Sequence, residues 1–183
     1  MAPLGILVAA MIYATEGGPI FFGHERVGRH GRRFKCYKFR TMVRDSEAVL
    51  QAHLKNNPLA RAEWEARRKL RNDPRVSRLG EILRKSSVDE LPQLFNILRG
   101  DMSLVGPRPI VQDELQYYGE NARFYLSVRP GLTGLWQTSG RSDTSYSQRV
   151  MLDTEYALTY NFWMDARIVL KTAEVVLTRE GSY

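Results

Sequence analysis

The chain has 183 residues, 43% hydrophobic and 10% aromatic, which suffices for one globular domain and excludes a disordered chain. Its single cysteine, Cys36, excludes an internal disulfide and favours a cytosolic or cytosol-facing protein. The net charge of +7 is concentrated in residues 23–40 and 67–85, each of which carries +6, while the other residues are net acidic. Two basic patches indicate an anionic partner, such as nucleic acid, a phosphorylated substrate or an acidic lipid, although solvated surfaces would carry the same charge.

The first predicted element is the apolar run PLGILVAAMIYA, from Pro3 to Ala14. It supplies only about half of the roughly 20 apolar residues that a membrane-spanning helix requires. In a signal peptide a basic region precedes the apolar run, and this run has none before it. Three interpretations stay open: a buried core helix, an interfacial or re-entrant segment, or the trailing half of a longer hydrophobic element. Because the sequence begins inside this run, we expect one of the last two.

The next segments predict a hairpin followed by helices. Two stretches rich in β-preferring residues flank GRHG, which predicts a β-hairpin with its loop at residues 28–31. The charged segment 44–70 predicts two helices divided at NNP, where Asn57 suits a cap and Pro58 suits a first helical residue. Beyond Arg75, an apolar stripe predicts a further helix. The stripe consists of Val76, Leu79, Ile82 and Leu83.

Two adjacent carboxylates, Asp89 and Glu90, stand directly before the sequence LPQLFNILRG. Apolar residues at helical spacing predict a buried helix face there, and Gly100 predicts the end of the helix. That face consists of Leu91, Leu94, Phe95 and Leu98. The acidic pair is then expected at a helix N-terminus, where unpaired N–H groups can hold phosphate or stabilise a carboxylate. The alternative is that the pair only starts the helix.

The sequence GPRP, residues 106–109, has a proline on either side of Arg108. Two prolines fix the backbone there, which can hold a guanidinium ready for bidentate phosphate contact, although a rigid turn with a surface arginine has the same sequence. Stiff turns and basic residues recur in VRPGLTGLWQTSGRSD, whose Trp136 suits a core position. Residues 144–160 and 162–178 predict two more helices, and the last can pack in a core or lie at a membrane interface.

Several familiar sites are absent from the sequence. It has no Walker phosphate loop, no dinucleotide fingerprint and no motif for a Ser-His-Asp triad, and its histidines have no metal-ligand spacing with Cys36. What remains is a carboxylate pair surrounded in sequence by arginine and lysine. That combination suits chemistry on a phosphate group.

Five stretches occur in order over nearly the whole chain: GPIFFGHERVG, YKFRTM, LRKSSVDELPQLFNILRGDMSLVGPRP, RPGLTGLWQTSGRSDTSY and REGSY. Together they resemble the catalytic domain of the bacterial sugar transferases known as monotopic phosphoglycosyltransferases, or polyprenyl-phosphate hexose-1-phosphate transferases. The insert at 44–72 and GLWQTSGRSDTSY resemble the undecaprenyl-phosphate galactose or glucose phosphotransferases of polysaccharide synthesis. The fold implied is α+β, a mainly helical single domain with a small β-hairpin. Residues 1–14 would be the remnant of a re-entrant membrane helix, and 15–183 the catalytic domain.

The resemblance implies a reaction as well. Hexose-1-phosphate would pass from a UDP-sugar to undecaprenyl phosphate, with release of UMP, at the cytoplasmic face of the bacterial inner membrane. Asp89 matches the family nucleophile, which forms an aspartyl phosphosugar, and Arg108 matches a phosphate-binding residue. Asp89 and Glu90 are the expected Mg²⁺ ligands. Further candidates for nucleotide, sugar or lipid-phosphate contacts are Lys38, Arg40, Arg84, Arg129, Gln137 and Arg141.

The partners implied are a UDP-sugar, undecaprenyl phosphate and membrane lipid, without nucleic acid. The oligomeric state stays open, with a homodimer as one candidate. Family members enter the membrane by a helix broken near a proline, which Pro3 would match here without the preceding half-helix. Two other classes stay open: a basic module that binds nucleic acid or anionic lipid, and a structural scaffold. The basic module predicts steeply salt-dependent binding that is indifferent to Asp89. Neither class explains the acidic pair before LPQLFN.

Overall fold

The computed structural model is mainly helical with two small sheets, in agreement with the α+β expectation. The residues that the structure describes are 2–67, 70–139 and 145–178. The chain divides into two compact units. The first unit comprises Met1–Ile20 and Phe39–Asp89, and the second comprises Phe21–Lys38 and Glu90–Ser182. The predicted boundary between residues 14 and 15 stays a prediction.

Helices make up most of the first unit. Its described helices are α1 (Ala2–Glu16), α2 (Ser46–Asn56), α3 (Pro58–Arg67) and α4 (Arg78–Lys85). In α1 the side chains of Val8 and Ile12 are buried, whereas Ile6 and Leu7 are more than half exposed. The run is therefore helical with one buried side. Nowhere in the described residues does a helix combine the length and the apolar composition that crossing a membrane requires.

The break between α2 and α3 lies where the sequence predicts it. The Asn57 side chain accepts a hydrogen bond from the backbone N–H of Ala60 at 3.1 Å, and Pro58 is the first residue of α3. Because proline lacks an N–H, it costs no helical hydrogen bond at that position. Leu50, Ala60 and Leu70 form the small core that holds the two helices together. The predicted cap is confirmed.

Helix α4 packs on a side that includes only part of the predicted apolar stripe. Ser77 caps it by accepting a hydrogen bond from the N–H of Gly80 at 2.9 Å. Gly80 lies against the backbone of Thr41 so closely that an added Cβ would be 2.1 Å from its carbonyl oxygen. The packed side therefore centres on Gly80 and Leu83, and Ile82 is left 64% exposed. The prediction that Ile82 belongs to the buried stripe is wrong.

The second unit contains both sheets. Strand β1 (Phe21–Val27) pairs with β2 (Arg33–Phe39), which confirms the predicted hairpin. The second sheet was not predicted. Its strands β3 (Ser103–Val105) and β4 (Gly131–Thr133) are parallel, with Ser103 opposite Gly131.

Five helices complete the second unit in the described part of the chain. They are α5 (Gln93–Leu98), α6 (Ala122–Ser127), α7 (Leu135–Thr138), α8 (Tyr146–Thr159) and α9 (Phe162–Thr178). A 3₁₀ segment, Gln112–Asn121, precedes α6. The main core packs Val27 of β1 against Ile110, Tyr125 and Val150. The Tyr125 hydroxyl donates to the Val27 carbonyl at 2.7 Å, so the core also ties the hairpin to α6.

Helix α5 reverses the predicted pattern of burial. Gln93 and Asn96 are its buried residues, while Phe95 is 54% and Leu98 is 86% exposed. The Asn96 amide explains this inversion: it accepts from the N–H of Tyr37 at 3.0 Å and donates to the carbonyl of Lys35 at 2.8 Å. A fully buried amide must be hydrogen-bonded, and β2 supplies both partners. The buried face predicted from Leu91, Leu94, Phe95 and Leu98 is therefore wrong, whereas the predicted end of the helix at Gly100, with φ +80°, is confirmed.

Candidate active site

Asp89 and Glu90 lie in a short 3₁₀ turn, Val88–Glu90. Helix α5 begins later, at Gln93, and its N-cap position is Pro92, which has no side-chain acceptor. The acidic pair therefore does not cap α5, and its predicted position at the N-terminus of that helix is wrong. The division between the two units falls between Asp89 and Glu90.

Asp89 is buried in the first unit, with 7% of its surface exposed. Its positive counterpart there is Arg84, whose Nε donates to the Thr41 hydroxyl at 2.9 Å. Burial lowers the pKa of Arg84, and the negative charges of Asp89 and Asp73 oppose that effect. Arg84 is therefore a partly desolvated cation that faces two carboxylates. Arg84 is thus one predicted binding residue that interacts electrostatically with Asp89.

Arg40 was also expected to contact substrate, and it is 93% buried in the first unit. Its Nη2 donates to the backbone carbonyls of Glu16 at 3.0 Å and Gly17 at 2.7 Å. These carbonyls lie at the C-terminal end of α1, where cations satisfy otherwise unpaired acceptors. In this structure Arg40 fastens α1, and a substrate contact for it stays a prediction.

Glu90 lies in the second unit and pairs with Lys38 of β2. The Lys38 ammonium donates to Glu90 Oε1 at 2.5 Å, and both side chains are about 30% exposed. Nearby is the buried thiol of Cys36, whose pKa is raised by burial and also shifted by the charges of Lys38, Arg26, Glu90 and Arg108. These four charged groups therefore share one region of the second unit. Three of them are cations, which suits an anionic ligand.

The Arg108 backbone is held rigidly, as the two prolines predict. The Pro107 carbonyl accepts from the N–H of Gly131 at 2.8 Å, and the Gly106 N–H donates to the Thr133 carbonyl at 2.9 Å. The Arg108 guanidinium lies 5.4 Å from the ring centre of Trp136. No carboxylate of the described residues lies within 4.0 Å of it. Arg108 therefore forms no ion pair within the described part of the chain.

The three remaining predicted residues lie in the sequence around β4. Arg129 is exposed just before that strand, and Gln137 is half-buried on α7 beside Trp136. Arg141 lies outside the described residues. The structure thus groups Lys38, Glu90 and Arg108 in the second unit and Asp89 with Arg84 in the first.

A second set of charged side chains lies behind Trp136, and no motif predicted it. Arg149 of α8 is 91% buried, and its guanidinium lies 4.8 Å from the Trp136 ring centre. It faces Glu114 at 3.7 Å and Asp153 at 3.9 Å. The Tyr118 hydroxyl donates to Asp153 at 2.6 Å. The sequence carries one signal for this cluster, the i,i+4 spacing of Arg149 and Asp153.

Asp153 is 99% buried, and this burial raises its pKa to about 6. The hydrogen bond from Tyr118 and the charges of Arg149 and Arg108 oppose the rise, as does the backbone N–H of Arg108. Arg26 joins the same network because its guanidinium lies 3.6 Å from Glu114. Buried ionisable groups with shifted pKa values concentrate at functional sites, although structural networks show them too.

Comparison with known proteins identifies the family. Residues 1–179 match the family model described as bacterial sugar transferase. The chain belongs to the bacterial sugar transferase family. This result confirms the resemblance that the five sequence stretches indicate.

Three relatives show how the bacterial sugar transferase chain compares with longer proteins. It is 57% identical, over 92% of its length, to the undecaprenyl-phosphate galactose phosphotransferase of Salmonella typhimurium, and spans 35% of that protein. It is 53% identical, over its whole length, to the exopolysaccharide production protein ExoY of Sinorhizobium fredii, and spans 81% of it. It is also 41% identical to the UDP-glucose:undecaprenyl-phosphate glucose-1-phosphate transferase of Caulobacter vibrioides, and spans 66% of it.

Proposed function

We propose that this chain transfers galactose-1-phosphate or glucose-1-phosphate from a UDP-sugar to undecaprenyl phosphate and releases UMP. The observation that carries the proposal is the acidic pair of the Val88–Glu90 turn, with Glu90 held by Lys38 in the region that contains Arg108. The names of the Salmonella and Caulobacter relatives support the lipid acceptor and the two sugars. The reaction would be a membrane step of bacterial surface polysaccharide synthesis.

Asp89 is the proposed nucleophile. One of its carboxylate oxygens attacks the phosphorus that carries the sugar, the bond from that phosphorus to the oxygen bridging the two phosphates breaks, and UMP leaves with the bonding electrons. The product on the protein is an aspartyl phosphosugar. A phosphate oxygen of undecaprenyl phosphate then attacks the same phosphorus and regenerates the Asp89 carboxylate. No proton has to be removed from the nucleophile, since a carboxylate attacks in its ionised form.

The electrostatic difficulty is the approach of one anion to another. Arg108 is proposed to bind the substrate phosphate through its planar fork, whose donors face no carboxylate among the described residues. Lys38 contributes a second cation and at the same time holds Glu90. Arg84 is proposed to balance the charge of Asp89 instead of contacting substrate, because its Nε is committed to Thr41.

The residues present also fit a magnesium ion. Within the described residues, no three histidine, cysteine or acidic side chains form a metal-binding group. Mg²⁺ commonly uses one or two carboxylates and takes its other ligands from water and substrate phosphates, so a consecutive Asp–Glu pair suits it. Asp89 and Glu90 are the proposed ligands. Bound Mg²⁺ would supply positive charge that neutralises the phosphate oxygens.

Helix α1 is proposed to contact the membrane that carries the lipid substrate, at the cytoplasmic face of the inner membrane. Its exposed side presents Ile6, Leu7 and Tyr13, which are 57–70% exposed. Large apolar groups exposed together on one helix mark an interaction site. The re-entrant form of this segment and a homodimeric assembly stay predictions.

The test is a UMP-release assay with UDP-galactose, UDP-glucose and other UDP-sugars, with and without undecaprenyl phosphate. We expect sustained release for one of the two hexoses when the lipid is present, and at most one equivalent per chain without it. Excess EDTA should stop release, and added Mg²⁺ should restore it. Release of UDP in place of UMP, or full turnover in excess EDTA, would contradict the proposal.

A further inference from the structure

We propose that Trp136, Arg149 and Asp153 form a support that positions Arg108 for the substrate phosphate. The inference rests on the proposed function, because it assigns Arg108 the role of phosphate ligand. It adds three positioning residues, of which Arg149 and Asp153 belong to no motif and Trp136 was expected only to fill core. All four residues lie in the second unit.

Arg108 contacts this support through its side chain, and its backbone is fixed separately. The guanidinium lies over the Trp136 ring, 5.4 Å from the centre. The hydrogen bonds of the Gly106 N–H to the Thr133 carbonyl and of the Gly131 N–H to the Pro107 carbonyl fix the turn that carries Arg108. A phosphate-binding fork held at backbone and side chain needs little reordering when substrate arrives.

Trp136 is held in turn by Arg149. The Arg149 guanidinium lies 4.8 Å from the Trp136 ring centre and 5.2 Å from that of Tyr146, so it contacts two aromatic faces. Glu114 and Asp153 flank it at 3.7 and 3.9 Å. Two guanidinium groups therefore contact the Trp136 ring. Arg149 is buried, and Arg108 is the more exposed of the two.

The ion pairs and hydrogen bonds of Arg149 are not those expected of a residue that only stabilises the fold. Its contacts with Glu114 and Asp153 are longer than a charge-assisted hydrogen bond. Its Nε and Nη2 are buried and have no hydrogen-bond partner among the described residues. Buried charges that are incompletely hydrogen-bonded cost stability relative to an apolar core. What Arg149 does achieve is its contact with the Trp136 ring, which fixes the position of that ring.

The experiment is a double-mutant cycle between Asp153→Asn and Arg108→Lys, measured as kcat/KM for the UDP-sugar. Asparagine has the shape of aspartate and can still accept from Tyr118, but it lacks the charge that faces Arg149. We expect Asp153→Asn to lower kcat/KM about tenfold in the wild-type background and less than about twofold in the Arg108→Lys background. Glu155→Gln, an exposed carboxylate-to-amide change on the same helix, is the matched control and should have no effect.

The two backgrounds distinguish positioning from general damage to the fold. An equal loss in both backgrounds, or no loss in the wild-type background, would overturn the proposal. Should Asp153→Asn fail to fold, Trp136→Phe and Trp136→Leu replace it, because phenylalanine keeps a ring and leucine does not. The phenylalanine variant should then be about tenfold more active than the leucine variant when Arg108 is present. The same tenfold ratio between these two variants in the Arg108→Lys background would overturn the proposal. The failure of the proposed function is distinguishable, since it would appear as absent UMP release by the wild-type chain.

Discussion

Arg75 and Arg108 each lie over a tryptophan ring, but they differ in their carboxylate partners. The Arg75 guanidinium lies 4.9 Å from the ring centre of Trp64, and that of Arg108 lies 5.4 Å from the ring centre of Trp136. The Arg75 fork is filled by Asp73, which accepts from Nε and Nη2 at 2.6 to 3.1 Å. Arg108 faces no such carboxylate in the described part of the chain. If Arg108 has the proposed role, what separates a structural arginine from a ligand-binding one is whether its donors are already occupied by a carboxylate.

Two carboxylates, Asp73 near Arg75 and Asp153 near Arg108, differ in how fully a cation compensates their charge. Burial acts to raise the pKa of Asp73, but the hydrogen bonds and charge of Arg75 outweigh it and hold that pKa below its ordinary value. Burial raises the pKa of Asp153 to about 6, and its cation Arg149 is more distant. In the Asp73–Arg75 pair, each charge is compensated by direct hydrogen bonds to the other. The cluster behind Arg108 leaves part of its charge uncompensated.

The largest expected effect concerns Asp89, the proposed nucleophile that would attack the phosphate bound by Arg108. Asp89→Asn should lower UMP release by at least about 10³-fold, because an amide cannot attack phosphorus, while the fold is retained. Asp73→Asn, the same chemical change in the same unit, should keep near-normal turnover at a temperature where the chain is folded. Steady-state assays of both variants check this. Near-normal turnover of Asp89→Asn would reduce the acidic pair to a structural turn.

The matched arginine substitutions test the comparison itself. Arg108→Lys keeps the charge but loses the planar fork, so kcat/KM should fall by about 10- to 100-fold with little change in unfolding. Arg75→Lys should do the reverse, lowering the midpoint of urea unfolding and leaving kcat/KM within about twofold. Parallel kinetic and unfolding measurements decide the matter. If both variants lost activity equally, the distinction between an occupied and an open fork would be wrong.

Asp73→Asn should reduce the free energy of unfolding by about 1–3 kcal/mol near pH 7, since it removes a bidentate charge-assisted pair. Because the Asp73 pKa is lower in the folded chain, its stabilisation is present above the unfolded pKa and is lost as the pH falls through the folded value. The difference between wild type and variant should therefore shrink in acid. Urea titrations at pH 7 and in acid measure it, and a difference independent of pH would count against the assigned pair.

Asp153 should show the opposite dependence on pH. Its raised pKa means that the folded chain binds the proton more tightly, so its contribution to stability falls as the pH rises from about 4 to about 6. The stability of wild type relative to Asp153→Asn should decrease by up to about 3 kcal/mol over that range. Unfolding titrations of both proteins test this. A relative stability that increased over the same range would show that Arg149 compensates the buried charge fully.

Local signals predicted local structure well. The hairpin loop at GRHG, the cap at Asn57 and the stop at Gly100 each depend on a few neighbouring residues, and the structure has them where they were expected. The buried face of α5 was predicted wrongly, because apolar periodicity does not register that the Asn96 amide pairs with a strand about 60 residues earlier. The same limit applies to Ile82, where the close approach of Gly80 to Thr41 decides the packed side.

The candidate site was predictable only where a motif carried it. Asp89, Glu90 and Arg108 stand in short characteristic stretches, so the sequence alone singles them out. Asp153 lies outside the five characteristic stretches, and only the folded chain brings it to Tyr118, as it brings Arg26 to Glu114. Contacts between residues far apart in sequence leave no pattern in a single chain.

The central claim, a covalent intermediate on Asp89, is tested most directly by intact mass spectrometry without a lipid acceptor. Wild-type protein given Mg²⁺ and its UDP-hexose should gain the mass of one phosphohexose, release one equivalent of UMP, and lose the adduct when undecaprenyl phosphate is added. Peptide mapping should place the adduct on Asp89, and Asp89→Asn should gain none. An adduct on another residue, or turnover by the wild type with no adduct that undecaprenyl phosphate can discharge, would contradict the account.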